Sequence, residues 1–271
     1  MTKRVKLYLA DLNEIYKNLK ESKDFYDIEI FDTLESTNTT LKNLAKTNIP
    51  EGKVIIAKEQ TGGRGKMNRS FFSPKASGIY MSILLKPDLP PDRAMYMTAL
   101  SAVAVSEAIE KVSGKPAKIK WVNDIYCEGL KVCGILTESG FGLYSDKIGY
   151  GVVGIGINLK EADGGFPSDI SHIAGAVFND DEYSDEKKNL IISEVLERVY
   201  FYYQKLEEKT FADEYKSRSN LIGEEVEVVL LNETKKARVL DIDDDLRLVA
   251  EYSDGTKEAL ISADVFKILR A

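Results

Sequence analysis

Residues 119–138 read IKWVNDIYCEGLKVCGILTE, and they decide how the rest of the chain must fold. Ile119 to Tyr126 and Lys131 to Glu138 each have the length and the aliphatic and aromatic content of a strand, with Glu128-Gly129 as the turn between them. A third run, Lys147 to Asn158, follows a short turn at Ser145-Asp146. Parallel neighbours need a crossover of a dozen or more residues, so strands this close together pair antiparallel. Upstream, Asp92 to Ser113 is the clearest helix: it is rich in alanine, stops at Gly114, and its small residues suit close packing against a sheet. Helices packed on a mixed, largely antiparallel sheet make an α+β domain rather than a doubly wound one.

Further upstream, Val54 to Ala57 is a buried-strand run, and Gly78 to Leu85 alternates so that Ile79, Met81, Ile83 and Leu85 share a face. The N-terminal region offers a short helix with Leu12, Ile15, Tyr16 and Leu19 on one side, then a strand around Ile28 to Phe31. Ser36-Thr37-Asn38 can cap a second short helix carrying Leu41, Leu44 and Ala45. Glu161 to Tyr183 is irregular and is expected to run over the surface, before a long helix from Asp185 to Glu208. From Leu221 the texture changes to short strands: Glu225 to Leu231, Ala237 to Ile242, Leu246 to Tyr252, Glu258 to Ile261 and Val265 to Leu269. That is the pattern of a small barrel, and the expected division is residues 1–220 and 221–271.

The 271 residues are 44% hydrophobic and 30% charged, with only seven prolines, which suits a chain folded throughout. A net charge of −7 gives no electrostatic footprint for wrapping nucleic acid or coating an anionic membrane, although a local basic patch can still hold a phosphate. There is no run of about 18 apolar residues, and MTKRVKLYLADLNEIY lacks the apolar stretch of a signal peptide. Neither membrane insertion nor export is expected. Cys127 and Cys133 have neither zinc-ligand nor disulfide-framework spacing, which fits a reducing cytoplasm.

Four stretches could carry chemistry. TGGRGKMNR at 61–69 joins Gly62, Gly63 and Gly65, which let the backbone approach an anion, to the cations Arg64, Lys66 and Arg69. It has neither P-loop nor dinucleotide-fold spacing, and a solvated basic turn would read the same way. In Lys120-Trp121-Val122-Asn123-Asp124, an amide and a carboxylate beside the only tryptophan suit a metal-bound phosphate or an amine; a core anchor followed by a turn is the alternative. Lys131 opens an apolar strand in which Gly134 leaves a gap, either as a site cation or as a solvent-facing strand end. Gly154 and Gly156 share one face of the strand ending at Asn158, so that face is bare, for a flat ligand, a bulge or a close helix. The one histidine, His172, lies in the irregular segment, which leaves no histidine-based triad.

Taken in order, Ser36-Thr37-Asn38, Gln60 with Gly63-Arg64-Gly65, Lys120 to Asp124, Lys131 to Leu136 and Gly154 to Asn158 resemble the biotin protein ligases over about residues 30 to 160. The resemblance implies a catalytic domain like that of the class II aminoacyl-tRNA synthetases, followed by an SH3-like barrel. It implies an enzyme that uses ATP and magnesium to make biotinyl-5′-AMP with release of pyrophosphate. Biotin then passes to one lysine of a biotin carboxyl carrier protein domain of a biotin-dependent carboxylase. By the same resemblance, Ser36, Thr37, Asn38 and Gln60 bind the ureido end of biotin or its surroundings, and Gly63, Arg64, Gly65 and Lys66 its carboxylate and the adenylate. Lys131 bridges carboxylate and α-phosphate, and the bare face at Gly134, Gly154 and Gly156 receives the ring and valeryl chain.

Asn123 and Asp124 then face the nucleotide, a metal or the incoming lysine, while Arg69, Trp121 and Asn158 belong to the nucleotide side. Lys131, Arg64 and Asp124 are the expected catalytic groups, and no metal ligands are assigned. The family commonly has proline where Val122 stands and a more arginine- and glycine-rich loop at Lys66-Met67-Asn68-Arg69, so retention of the adenylate is expected to differ. Only 35 residues precede Ser36, too few for the DNA-binding domain of repressor members, so no DNA partner is expected. A homodimer through a sheet edge stays open, as does Arg270 as a nucleotide contact or a solvated cation. The alternatives are a lipoate or octanoate ligase of the same superfamily, whose arginine- and histidine-containing glycine motif is absent, and a non-catalytic biotin-responsive regulator. Lys131 and Asp124 argue against the regulator.

Overall fold

Residues 119–138 contain three strand segments, where the sequence suggests two. The computed structural model describes residues 3–141, 146–230 and 233–267. Its first sheet is built from β1 (Asp27–Phe31), β2 (Lys53–Ala57), β3 (Gly78–Leu85), β4 (Ala117–Lys120), β5 (Asp124–Cys127), β6 (Leu130–Phe141) and β7 (Ile148–Asn158). The expected strand Ile119 to Tyr126 is split, because Trp121-Val122-Asn123 form the turn between β4 and β5 and the Trp121–Val122 peptide is cis. The turn at Glu128-Gly129 has positive φ at both residues, 51° and 82°, the conformation that ties a tight two-residue hairpin. The turn expected at Ser145-Asp146 falls partly outside the described residues.

Strand order is β1-β2-β3-β7-β6-β5-β4; only β1 and β2 run parallel. The sheet is therefore mixed and largely antiparallel. The helices are α1 (Lys3–Asn18), α2 (Thr37–Ala45), α3 (Met95–Ser113), α4 (Asp185–Tyr203) and a short α5 (Ala212–Ser217) that the sequence reading missed. On one face, Ile79, Met81, Ile83 and Leu85 of β3 join the main core with Met97, Leu100, Ala104 and Ile109 of α3. Helix α4 covers the other side of α3, which explains why α3 is buried on nearly every side and carries so many small residues. On the opposite face, Ile55, Leu84 and Val152 pack against Leu41 and Ala45 of α2. That helix is short, so the glycine-bearing stretch of this face is left to be covered by loops.

Ser36 caps α2 by accepting from the Thr39 amide at 3.4 Å, and Ser184 caps α4 by accepting from the Lys187 amide at 3.2 Å. Helix α3 starts at Met95 after a separate tight turn at Pro91–Arg93, and stops at Gly114 with φ 73°. Helix α4 stops at Tyr203, short of the expected Glu208, and the chain then turns through Lys209 at φ 52°.

The C-terminal sheet is antiparallel, ordered β11-β10-β9-β8-β12, from β8 (Glu225–Leu230), β9 (Glu233–Ile242), β10 (Leu248–Tyr252), β11 (Lys257–Leu260) and β12 (Asp264–Lys267). Strand β9 starts four residues before the expected Ala237, because Glu233 to Lys236 are exposed and show no burial alternation to read. Leu246 sits at φ 64° in the preceding turn, so β10 starts at Leu248. Leu269 and Arg270 lie outside the described residues.

Candidate active site

One register line of the sheet runs Tyr80, Gly156, Gly134, Asp124, Lys120 across β3, β7, β6, β5 and β4. Directly opposed residues of a sheet share a face, so Asp124 and Lys120 rise beside a strip that carries no side chain at all. A parallel line two residues away runs Ser82, Gly154, Leu136. A cavity of about 230 Å³ stands on this face.

The glycine strip is occupied by the protein itself. A Cβ at Gly154 would lie 2.2 Å from Asn38 Oδ1, and a Cβ at Gly156 would lie 2.5 Å from the Phe71 ring. Gly134 also meets Phe71, at 3.3 Å. The bare face expected to receive an apolar ligand thus admits the Asn38 amide and the Phe71 ring, and the cavity opens beside them.

A polar network fixes the α2 end. Gln60 Oε1 accepts from the Thr37 amide at 2.8 Å and hydroxyl at 3.1 Å, while Gln60 Nε2 donates to Ser73 Oγ at 3.0 Å. Ser82 Oγ stands 2.8 Å from Thr37 Oγ1 and 2.6 Å from Asn38 Oδ1. Asn38 Nδ2 donates to the Leu136 carbonyl and to Glu138 Oε2, both at 3.1 Å. Glu138 also pairs with Lys42 at 2.5 Å and with Arg64 at 3.6 Å. Burial alone would raise the Glu138 pKa, but hydrogen bonds from Lys42 and Asn38 outweigh it and hold the carboxyl below its ordinary value.

The basic stretch is a hairpin rather than an open loop. Gln60 bonds to Ser73, Gly63 to Phe71, and Gly65 to Arg69 through main-chain contacts of 3.1, 2.9 and 2.7 Å, leaving Lys66-Met67-Asn68 at the tip. Arg64, Gly65, Lys66 and Arg69 line the cavity, but Gly63 does not. A Cβ at Gly63 would stand 2.3 Å from the Phe71 carbonyl oxygen, so this glycine lets the two arms of the hairpin meet. Arg69 pairs with Asp264 of β12, while burial pushes the Lys66 ammonium below its ordinary value against the pull of Asp264 and Asp124.

On the far side, Lys131 Nζ lies 2.7 Å from Asp124 Oδ1. Asn123 Nδ2 donates to the Ile135 carbonyl at 2.7 Å, tying β5 to β6, and Asn158 Nδ2 donates to the Gly175 carbonyl at 3.0 Å. Trp121 is buried and donates to the carbonyl of Leu246, in the turn before β10, at 2.9 Å, so it is a core anchor as well as a lining residue. Apart from Gly63, every site residue expected from the sequence lines the one cavity.

The sequence reading missed three contributions. Phe71 and Phe72 line the cavity; two aromatics directly after the cations were the available signal. The segment 161–183 is irregular and runs over the surface as expected, but it is also a wall, with Phe166, Ile170, Ile173 and Ala174 on the cavity and the Lys131 main-chain amide donating to the Ile173 carbonyl at 2.8 Å. Ala263 to Phe266 close the remaining side from the C-terminal sheet, a long-range contact with no local sequence signature. His172 is exposed. Among the described residues no group of three metal-ligating side chains occurs, and no helix is long and apolar enough to cross a membrane.

Comparison with known proteins places this geometry. Residues 30–158 match the Biotin/lipoate A/B protein ligase family, and residues 221–268 match the Biotin protein ligase C terminal domain. The chain is 34% identical over 236 residues to the bifunctional ligase/repressor BirA of Bacillus subtilis, covering 86% of this chain and 72% of that protein. It is 27% identical over 237 residues to the biotin--[acetyl-CoA-carboxylase] ligase of Mycobacterium tuberculosis, covering 84% of each. The biotin protein ligase from Aquifex aeolicus, solved in complex with biotin and ATP, superposes with a TM-score of 0.71 over 89% of this chain and 99% of that one, at 24% identity, a likeness of fold. With both parts of the chain matched and a relative 34% identical over most of its length, the protein belongs to the biotin protein ligase family and is an enzyme of that kind.

Proposed function

We propose that the chain condenses biotin with ATP to give biotinyl-5′-AMP and pyrophosphate, then transfers biotin to a lysine of a carboxylase carrier domain. In the first step a carboxylate oxygen of biotin attacks the α-phosphorus, and the bond from that phosphorus to the bridging oxygen breaks as pyrophosphate leaves. Two anions must be brought together, so the site has to supply positive charge before the reaction and more as charge moves to the leaving group. The observation that carries the reading is the ring of cations, Arg64, Lys66, Arg69 and Lys131, around a cavity whose other end is a hydrogen-bonded amide and hydroxyl network.

That network, at Ser36, Thr37, Asn38 and Gln60, suits the ureido head of biotin. Arg64 and Lys66 suit the carboxylate, and Lys131 the oxygen shared with the α-phosphate. Magnesium sites on nucleotides commonly use one or two carboxylates together with the phosphates. Asp124 and Asp264 line the cavity and fit that role, so magnesium is assigned to the ATP rather than to a site of the protein alone. In the second step the acceptor amine attacks the acyl carbon, AMP departs, and Asp124 is placed to take the amine proton.

The test is mass spectrometry of a carrier domain incubated with the protein, biotin, ATP and magnesium. The expected result is a biotin-sized increment on one lysine, with lipoate or octanoate in place of biotin giving none; an unmodified carrier domain rejects the reading. Lys131→Ala should abolish pyrophosphate release while the protein stays folded.

A further inference from the structure

Asn38 and Lys42 stand one helical turn apart on α2, and both reach Glu138 of β6: Asn38 Nδ2 donates to Oε2 at 3.1 Å, and Lys42 Nζ lies 2.5 Å from Oε1. Glu138 follows Gly134 and Leu136 on one face of β6, so the same two-residue alternation sets the glycine strip and this carboxylate. Arg64 comes to the same Oε1 from the hairpin, at 3.6 Å. The two cations hold that oxygen unequally. The lysine is the better buried and sits at close ion-pair distance, whereas the arginine is exposed and lies beyond hydrogen-bond distance. One carboxylate therefore faces two cations, and the surplus positive charge lies on the side that opens to the cavity: Arg64 lines it, while Glu138 and Lys42 stand behind.

A largely buried carboxylate stripped of its only cation is strongly disfavoured, so Arg64 can leave Glu138 readily only if another cation stays behind. Lys42 is that cation. We infer that Lys42 is a positioning residue for carboxylate recognition: it keeps Glu138 neutralised, so that Arg64 is held beside the cavity by a loose contact and passes to the carboxylate of the acyl substrate. Two cations then face two carboxylates. Without Lys42, Glu138 would draw Arg64 into a short, charge-assisted pair that the substrate must break before it can bind. Glu138 also accepts from Asn38, so one carboxylate behind the cavity bears on both its amide network and its anion-binding hairpin.

This inference deepens the proposed function and rests on its assignment of Arg64 to the carboxylate. Calorimetry with biotin and with biotinol, in which an uncharged alcohol replaces the carboxylate, compares the unsubstituted protein with Lys42→Met, Lys42→Arg, Glu138→Gln and the double variant Lys42→Met with Glu138→Gln. Lys42→Met should weaken biotin binding about tenfold and leave biotinol within about twofold, and Lys42→Arg should restore the biotin affinity. In the double variant no carboxylate competes for Arg64, so biotin should bind as it does to Glu138→Gln alone. Equal weakening of both compounds, unchanged biotin affinity, or a loss that persists in the double variant would overturn the role of Lys42. If the unsubstituted protein binds neither biotin nor biotinol, the proposed function fails instead. Modification of Arg64 by phenylglyoxal, followed by peptide mass spectrometry, then still decides on Lys42. A rate lowered about threefold or more in Lys42→Met and recovered in the double variant supports it, and any other pattern of rates rejects it.

Discussion

On the sheet side of the cavity, Thr37, Asn38 and Ser82 are at most 4% exposed and hydrogen-bond one another, Gln60 and Glu138. On the hairpin side, the Arg64 and Arg69 side chains are 44% and 57% exposed and are held by single carboxylates. The first wall is set by packing in a low-dielectric setting, where each contact has no water to replace it. The second is held by ion pairs that water can loosen. Under the proposed function, a site that recognises a neutral polar head and then gathers anions has use for both. The head group needs a template formed in advance, whereas the phosphates must displace whatever the cations held before.

The two glycines that face these walls separate the cases. Gly154→Ala drives a methyl group into Asn38, whose amide is tied to Ser82, Leu136 and Glu138, so nothing nearby yields cheaply. Overpacking of this kind costs about 1–3 kcal/mol, and a lowered denaturant midpoint with an unchanged m-value is the expected reading. Glu138→Gln comes next. It keeps an acceptor for Asn38 but leaves Lys42 and Arg64 without their carboxylate, at a cost of about 1 kcal/mol near neutral pH.

The pH dependence of that second variant has a defined sign. The Glu138 carboxyl is depressed in the folded protein relative to its ordinary value of 4.5, so its contribution is fully present above that value. It is lost as pH falls below 4.5 through the lower folded value. The stability gap between the unsubstituted protein and Glu138→Gln should therefore close on acidification through this window, as followed by chemical denaturation at a series of pH values. A gap that stays constant would mean that Glu138 acts by packing rather than by charge.

The difference between the walls also explains what was legible in the sequence. The sheet, its antiparallel order and the glycine strip follow from turn residues and two-residue alternation, which are local signals. The cations of the hairpin were visible as composition. The occupants of the glycine strip were not, since periodicity shows that Gly154 and Gly156 share a face but says nothing about which distant side chain lies on it. Asn38 and Phe71 reach it from elements more than 80 residues upstream in the chain. The place of β12 and of the wall at Phe166 to Ala174 beside the cavity was missed for the same reason: their apolar residues read as ordinary strand and irregular segment until the fold brings them to the cavity.

Gly156→Ala probes the hairpin wall with the same chemical change. Its methyl group would meet the Phe71 ring, which belongs to the hairpin and can turn away, so stability should change by less than about 1 kcal/mol. The effect should appear instead as altered biotin affinity, read by calorimetry, because the displaced ring lines the cavity. A stability loss as large as that of Gly154→Ala would show that the hairpin is as firmly seated as the sheet.

The smallest change in stability is expected at the contact between Arg69 and Asp264. The arginine is more than half exposed, and pairs of this kind contribute about 0–1 kcal/mol, less at high salt. Asp264→Asn should therefore leave the denaturation midpoint almost unmoved. The hairpin tip is a different matter, because that pair fastens Arg69 and the adjoining Lys66-Met67-Asn68 turn to β12. Met67 is 70% exposed at the tip, so limited proteolysis next to it reports opening directly. Faster cleavage there in Asp264→Asn, with global stability unchanged, is the expected result. Cleavage at the rate of the unsubstituted protein would mean that the main-chain bonds from Gln60 to Ser73 hold the hairpin without help from the C-terminal sheet.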